Sequence, residues 1–179
     1  MANSIANITA YTADQPMPYV LFSVVGLACG TGFGGQGATL GLVVSMFTAK
    51  SNRYKEMFKL TAGPSIFNIN EPLIFGMPII MNPIFFIPMA IGPLFMGLVA
   101  WGLTAVIDIS GFNPTASFPW TTPALFQMAF KGGWQLLIIG VICLAVSILT
   151  WYPFFKVADK KALKEEAEER KQQSVEGNS

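Results

Sequence analysis

Between Leu60 and Phe155 the only charged side chains are Glu71, Asp108 and Lys131. In a typical soluble domain about a quarter of the residues are charged. In this 179-residue chain 12% are charged and 53% hydrophobic. A soluble fold would leave much of that stretch facing water, so it belongs in a bilayer. The expectation is an all-α, polytopic membrane protein with transmembrane helices and re-entrant or broken helical hairpins.

The apolar phases divide as follows. Residues 1–18 are polar and proline-bounded, and read as a loop or an interfacial segment. They lack the basic start and apolar core of a secretory signal. Asn7-Ile8-Thr9 fits a glycosylation sequon, a short pattern that carries little weight. Residues 19–49 are too many for one straight span of about 20 residues. Their glycine-rich centre, "GTGFGGQGAT", would weaken a continuous helix, so a broken helix or hairpin is expected. Non-helical backbone at membrane depth survives only inside protein or beside a water-filled cavity.

The basic "KSNRYKEMFK" at 50–59 reads as a cytoplasmic loop by the positive-inside rule. Pro64, Pro72, Pro78 and Pro83 make a simple span over 61–83 unfavourable, so a re-entrant, partly unwound segment with Glu71 near its turn is expected. Residues 84–109 form a span that Pro88 and Pro93 should kink. Residues 110–123 form a turn-rich break. Residues 124–133 form a half-helix ending at Gly132-Gly133. Residues 134–155 form the last span, with Trp134, Trp151 and Tyr152 as interfacial anchors. Residues 156–179 are a charged, solvated cytoplasmic tail. Its Lys161/Glu165, Lys164/Glu168 and Glu166/Arg170 pairs have i,i+4 spacing, each contributing a few tenths of a kcal/mol. Two discontinuous elements around polar residues at membrane depth are the arrangement a transporter site requires.

Several chemistries are excluded or disfavoured. The net charge of +1 offers no basic field for nucleic acid. The chain has no His, which removes His-based metal sites and His general bases. No cofactor or metal is expected. Cys29 and Cys143 lie in apolar runs and read as packing thiols. Gly30, Gly32 and Gly35 match G-x-G-x-x-G, but no strand precedes them. "GFGGQGAT" approaches a phosphate-binding loop, but Ala38 stands where the Lys is needed. Either the glycines allow close helix packing, or their backbone lines a polar cavity with Gln36 and Thr39 adding contacts. Asp108 is expected at headgroup level and Lys131 to snorkel to an interface. Trp120, in a proline-rich break, suits an interfacial anchor or a ring face for a sugar.

Glu71 is the exception. An ionised carboxylate in hydrocarbon is costly unless paired, and its segment contains no Lys or Arg. Asn68 and Asn70 beside it can donate and accept hydrogen bonds, which suits a neutral, hydroxyl-rich ligand. A structural, protonated or water-exposed Glu is the alternative.

"GPSIFNINEPLIFGMPIIMNPIFFIP" (63–88) resembles the asparagine–glutamate–proline signature of EIIC, the membrane subunit of sugar phosphotransferase systems. "GQGATL", the basic 50–59 segment and "FPWTTP" before a last span and charged tail resemble its lactose, cellobiose and N,N'-diacetylchitobiose branch. The resemblance implies a homodimeric permease of the bacterial inner membrane. It would carry a β-linked disaccharide to a phosphocysteine on a cytoplasmic EIIB subunit, which acts with EIIA. Glu71 occupies the position of the sugar-contacting acid, Asn70 is its neighbour in the motif, and Trp120 matches a ring-stacking position. Full-length subunits are longer, with dimer-forming helices and a functional His upstream. The expectation is therefore that residues 1–155 are the C-terminal, sugar-binding half. The phosphotransferase activity would then belong to the assembly, because this chain lacks the phosphorylated residue. A truncated membrane scaffold or assembly partner, or a carrier without coupled phosphorylation, is the competing reading.

Overall fold

The computed structural model describes residues 2–29, 32–77, 79, 81–109 and 111–176, with side chains to residue 174. Gly30 and Pro78, invoked above, lie outside the described residues. The described residues form helices joined by turns and loops, with no strand among them. In chain order the helices are α1 (Ala2–Thr12), α2 (Val20–Cys29), α3 (Leu40–Met46), α4 (Asn52–Ile66), α5 (Glu71–Gly76), α6 (Pro83–Thr104) and α7 (Ala124–Glu176).

α7 is the spine. Gly132 (φ −146°, ψ 21°) and Gly133 (φ 62°, ψ −153°) leave helical geometry and separate a short first helix from a long second one. From residue 134 to 176 the helix then runs without a break, about 60 Å at 1.5 Å per residue. Among the described residues, its apolar first half and α6 are the helices long and apolar enough to cross a membrane. α6 starts sharply because Pro83 sits in the first turn and the Asn82 side chain accepts from the Ile84 N–H at 3.1 Å. Phe86, Leu94, Phe95, Leu98 and Trp101 on α6 are exposed, a surface that lipid or protein would cover.

Two apolar clusters meet along α7. One joins Val24 and Ala28 of α2, Met96 and Ala100 of α6, and Met128, Ile139 and Cys143 of α7. The other joins Leu42 and Met46 of α3, Tyr54 of α4, Leu73 of α5, Phe85 of α6, and Trp151 and Phe155 of α7. α3 approaches α7 so closely that a Cβ on Gly41 would lie 2.3 Å from the Ser147 Oγ. Cys29 and Cys143 are free thiols.

Four sequence readings need correction. Residues 2–12 are helical rather than a loop. The buried Asn7 donates to the Ser23 Oγ at 3.1 Å and accepts from the Tyr19 N–H at 2.8 Å, so it ties α1 to α2 and is no sugar acceptor. The 50–59 segment is not a loop, because residues 52–59 open α4. Lys and Arg propagate helix well, no Gly or Pro interrupts before Gly63, and Ser51 caps the start through the Tyr54 N–H. Trp151 is no headgroup anchor: it is fully buried, with its Nε1–H on the Gly37 carbonyl at 3.2 Å. The tail is not wholly solvated, because Asp159 is 2% exposed and bound to the start of α4. Of its three i,i+4 pairs, Lys161–Glu165 is the ion pair seen among the described residues, at 4.0 Å.

Candidate functional site

Between α2 and α3 the backbone leaves helical geometry and passes through the middle of the molecule. Gly34, Gly35 and Gly37 have φ near +80°, and Ala38 has φ 52°. A side chain at Gly35 would also strike the Asn70 amide at 2.6 Å, so this turn requires glycine there.

Such a loop leaves polar backbone groups buried, and each needs a partner. Side chains supply many of them. Asn68 accepts from the Gly34 N–H at 3.1 Å. Asn70 donates to the Gln36 carbonyl at 3.0 Å and to the Thr39 Oγ1 at 3.3 Å. The Thr39 hydroxyl donates to the Gly34 carbonyl. From α7, Ser147 donates to the Ala38 carbonyl at 2.8 Å and Trp151 to that of Gly37. Asn68 also donates to the Trp120 and Thr122 carbonyls at 2.8 and 2.9 Å. One side chain therefore ties the glycine loop to the 118–123 loop. Asn68 has φ 63°, the left-handed region that Asn tolerates better than most residues.

These contacts revise the site. Asn68, Asn70 and Thr39 are buried and engaged within the protein. They hold the frame through these groups, while the Asn70 Oδ1 accepts no hydrogen bond among the described residues. Gln36 gives its carbonyl to Asn70 but keeps an exposed side chain. Trp120 gives its carbonyl to Asn68 and leaves its ring 61% exposed. That ring borders a cavity of about 250 Å³ shared with Gly26, Leu27, Ala124, Gln127 and Met128.

Glu71 opens α5 at the far side of the break. Its side chain is exposed, and no hydrogen bond or ion pair engages its carboxylate among the described residues. It caps nothing. The structure thus joins Asn68, Asn70, Thr39, the Gln36 backbone and the Trp120 backbone in one network, and leaves the Glu71 carboxylate, the Gln36 amide and the Trp120 ring accessible. Such a set can accept hydroxyl protons at a carboxylate, exchange hydrogen bonds at an amide and cover a flat apolar ring face.

The sequence reading gives Ser147 no role and Trp151 an interfacial one, not a place in this network. Their signal was available: a hydroxyl and an indole N–H spaced i,i+4 in an otherwise apolar run lie on one helix face.

Comparison with known proteins places this geometry. The family model described as "Phosphotransferase system, EIIC" matches residues 1–93. The galactose-specific EIIC component of Lactococcus lactis subsp. cremoris (strain MG1363) is 54% identical over 164 residues, covering 91% of this chain and 36% of that protein. The oligo-beta-mannoside-specific EIIC component of Bacillus subtilis (strain 168) is 33% identical over 180 residues, covering 96% of this chain and 39% of that protein. The crystal structure of the transporter ChbC, the IIC component from the N,N'-diacetylchitobiose-specific phosphotransferase system, superposes with a TM-score of 0.79 at 32% identity. That match covers 93% of this chain and 39% of the other. The chain thus spans less than two-fifths of the length of these relatives. The matched residues include the glycine loop, the asparagine clamp and Glu71, and the chain belongs to the EIIC family of the phosphotransferase system.

Proposed function

We propose that this chain is the sugar-binding part of an EIIC permease of the bacterial inner membrane. It binds a β-linked disaccharide and presents it to a phosphorylated EIIB subunit recharged by EIIA. The complete permease works as a homodimer. The carrying observation is that Glu71 keeps an exposed, unengaged carboxylate while the two asparagines beside it are used by the frame. A carboxylate held there accepts two or more sugar hydroxyls. The Trp120 ring, on a backbone that Asn68 holds through its carbonyl, covers an apolar sugar face. The Gln36 amide adds a contact from the glycine loop.

The relatives support a sugar but differ in which one: their names specify galactose, an oligo-beta-mannoside and N,N'-diacetylchitobiose. The β-linkage is therefore the part most in need of a test. That test is competition binding to the detergent-purified complete permease containing this segment. β-Linked disaccharides should displace labelled sugar at concentrations about tenfold lower than α-linked ones, and Trp120→Leu should weaken binding by about tenfold. Equal displacement by both linkages, or none by any disaccharide, would refute the reading.

A further inference from the structure

Asp159 is remote in sequence from the signature segment, yet it is bound to the start of α4, the helix that leads into that segment. Its Oδ1 accepts from the Ser51 N–H at 3.0 Å and the Ser51 Oγ at 2.8 Å, and its Oδ2 accepts from the Lys50 N–H at 3.0 Å. Ser51 is the cap of α4, and its hydroxyl in turn accepts from the Tyr54 N–H at 3.4 Å. Glu166, about two turns further along the same face of α7, accepts from the Arg53 N–H at 3.0 Å and the Asn52 N–H at 3.3 Å. Every N–H from 50 to 53 therefore ends on a carboxylate of α7, including orphan groups at the start of α4.

α4 is a rod of about 22 Å by its residue count. At its far end Asn68 and Asn70 grip the glycine loop. α7 grips that same loop at Ser147 and Trp151, about 18 and 12 Å before Asp159 along the helix. Two rods of similar length are thus pinned to each other at both ends. The remaining α4–α7 contacts include one exposed ion pair, Arg53–Glu165 at 3.9 Å, of a kind that contributes little, and apolar packing in which Tyr54 sits edge-on to Phe155 at 5.4 Å. Such packing is non-directional and tolerates sliding, whereas the capping hydrogen bonds do not. Glu71 follows Asn70 directly and has no polar tie of its own among the described residues, so its place depends on this frame.

We propose that Asp159 is a positioning residue for the sugar site, holding α4 in register with α7 and thereby setting where Glu71 stands. The inference rests on the sugar-binding reading of Glu71. Its test uses the complete permease, with Asp159→Asn and the milder, exposed Glu166→Gln. Two readouts are needed: hydrogen exchange along the chain, and labelled-disaccharide binding resolved into affinity and number of sites.

Asp159→Asn should speed exchange over 66–72 by about tenfold with 90–104 unchanged. It should weaken sugar affinity about fivefold with the number of sites retained. Glu166→Gln should act in the same direction, less strongly. Faster exchange confined to 48–54 would make Asp159 a local cap and overturn the inference. A uniform acceleration, or a loss of sites at constant affinity, would make it a general stabiliser and overturn it equally. So would unchanged affinity in Asp159→Asn when Glu71→Gln weakens binding. If exchange over 66–72 responds but neither Asp159→Asn nor Glu71→Gln alters affinity, the positioning stands and the sugar reading of Glu71 fails.

Discussion

Two clamps hold this molecule, and they use different chemistry for the same task. In the middle of the chain, Asn68 and Asn70 satisfy buried backbone groups of the glycine loop. At the charged end, Asp159 and Glu166 satisfy those at the start of α4. The first clamp is neutral and the second ionised. The first must both donate and accept among apolar neighbours, where a charge would be costly to desolvate and a neutral amide can do both. The second meets only N–H and O–H donors, beside Lys156 and near water, where a carboxylate makes shorter and stronger bonds. Burial pushes the Asp159 carboxyl up, but the hydrogen bonds from Ser51 and Lys50 and the Lys156 charge outweigh it and hold the group below its ordinary value. At Glu166 the N–H of Arg53 is the main cause of a similar lowering. Against this pattern Glu71 is an anomaly: a carboxylate in the zone of amides, satisfying no backbone group.

The largest loss of stability is expected at Asn68. Asn68→Ala leaves the Gly34 N–H and the Trp120 carbonyl without their partner and puts a less suitable residue at φ 63°. At about 1–3 kcal/mol for each orphaned group, the loss should reach about 3 kcal/mol. Thermal unfolding of the detergent-solubilised protein measures it, and a loss below about 1 kcal/mol would mean the neutral clamp is dispensable.

Asp159→Asn should cost somewhat less, about 2 kcal/mol, because one acceptor for Ser51 survives. The pH dependence sharpens the contrast. Folding lowers the Asp159 pKa, so its contribution is complete above the unfolded value near 3.9 and fades as pH falls through the lower folded value. The difference between wild type and Asp159→Asn should therefore be flat from about pH 5 to 8 and close only in acid. A gap that closes already near neutral pH would contradict the assignment. Ser147→Ala removes one neutral hydrogen bond to the loop and should cost about 1 kcal/mol in the same melt. A cost matching that of Asn68→Ala would shift the weight of the neutral clamp to α7.

Sequence patterning is informative here where the cause is local. The charge-poor stretch announces long apolar helices, the Gly132-Gly133 pair marks the break in α7, and Asn82-Pro83 marks the start of α6. It fails where a partner lies far along the chain. Asp159 reads as one more charge in a tail, because the N–H groups it caps are more than a hundred residues away. Basic residues at 50–59 report which side of a membrane a segment prefers, not whether its backbone is helical, so they do not reveal the start of α4. In the candidate site, residue type pointed to hydrogen bonding, but only the fold separates amides used by the frame from the acid left over. Asn68, Asn70 and Glu71 look equivalent as a motif, yet their surroundings are opposite.

Glu71→Gln has the smallest expected effect on stability and a large one on binding, since the carboxylate holds no hydrogen bond or ion pair among the described residues. The decisive measurement sets melting temperature beside labelled-disaccharide affinity for this one substitution in the complete permease. A hydrogen bond to a charged group contributes about 1.5–3 kcal/mol. The account therefore predicts an unchanged melt and affinity weaker by roughly 10- to 150-fold. A variant that binds as tightly as wild type would contradict it and return Glu71 to a structural, water-exposed role.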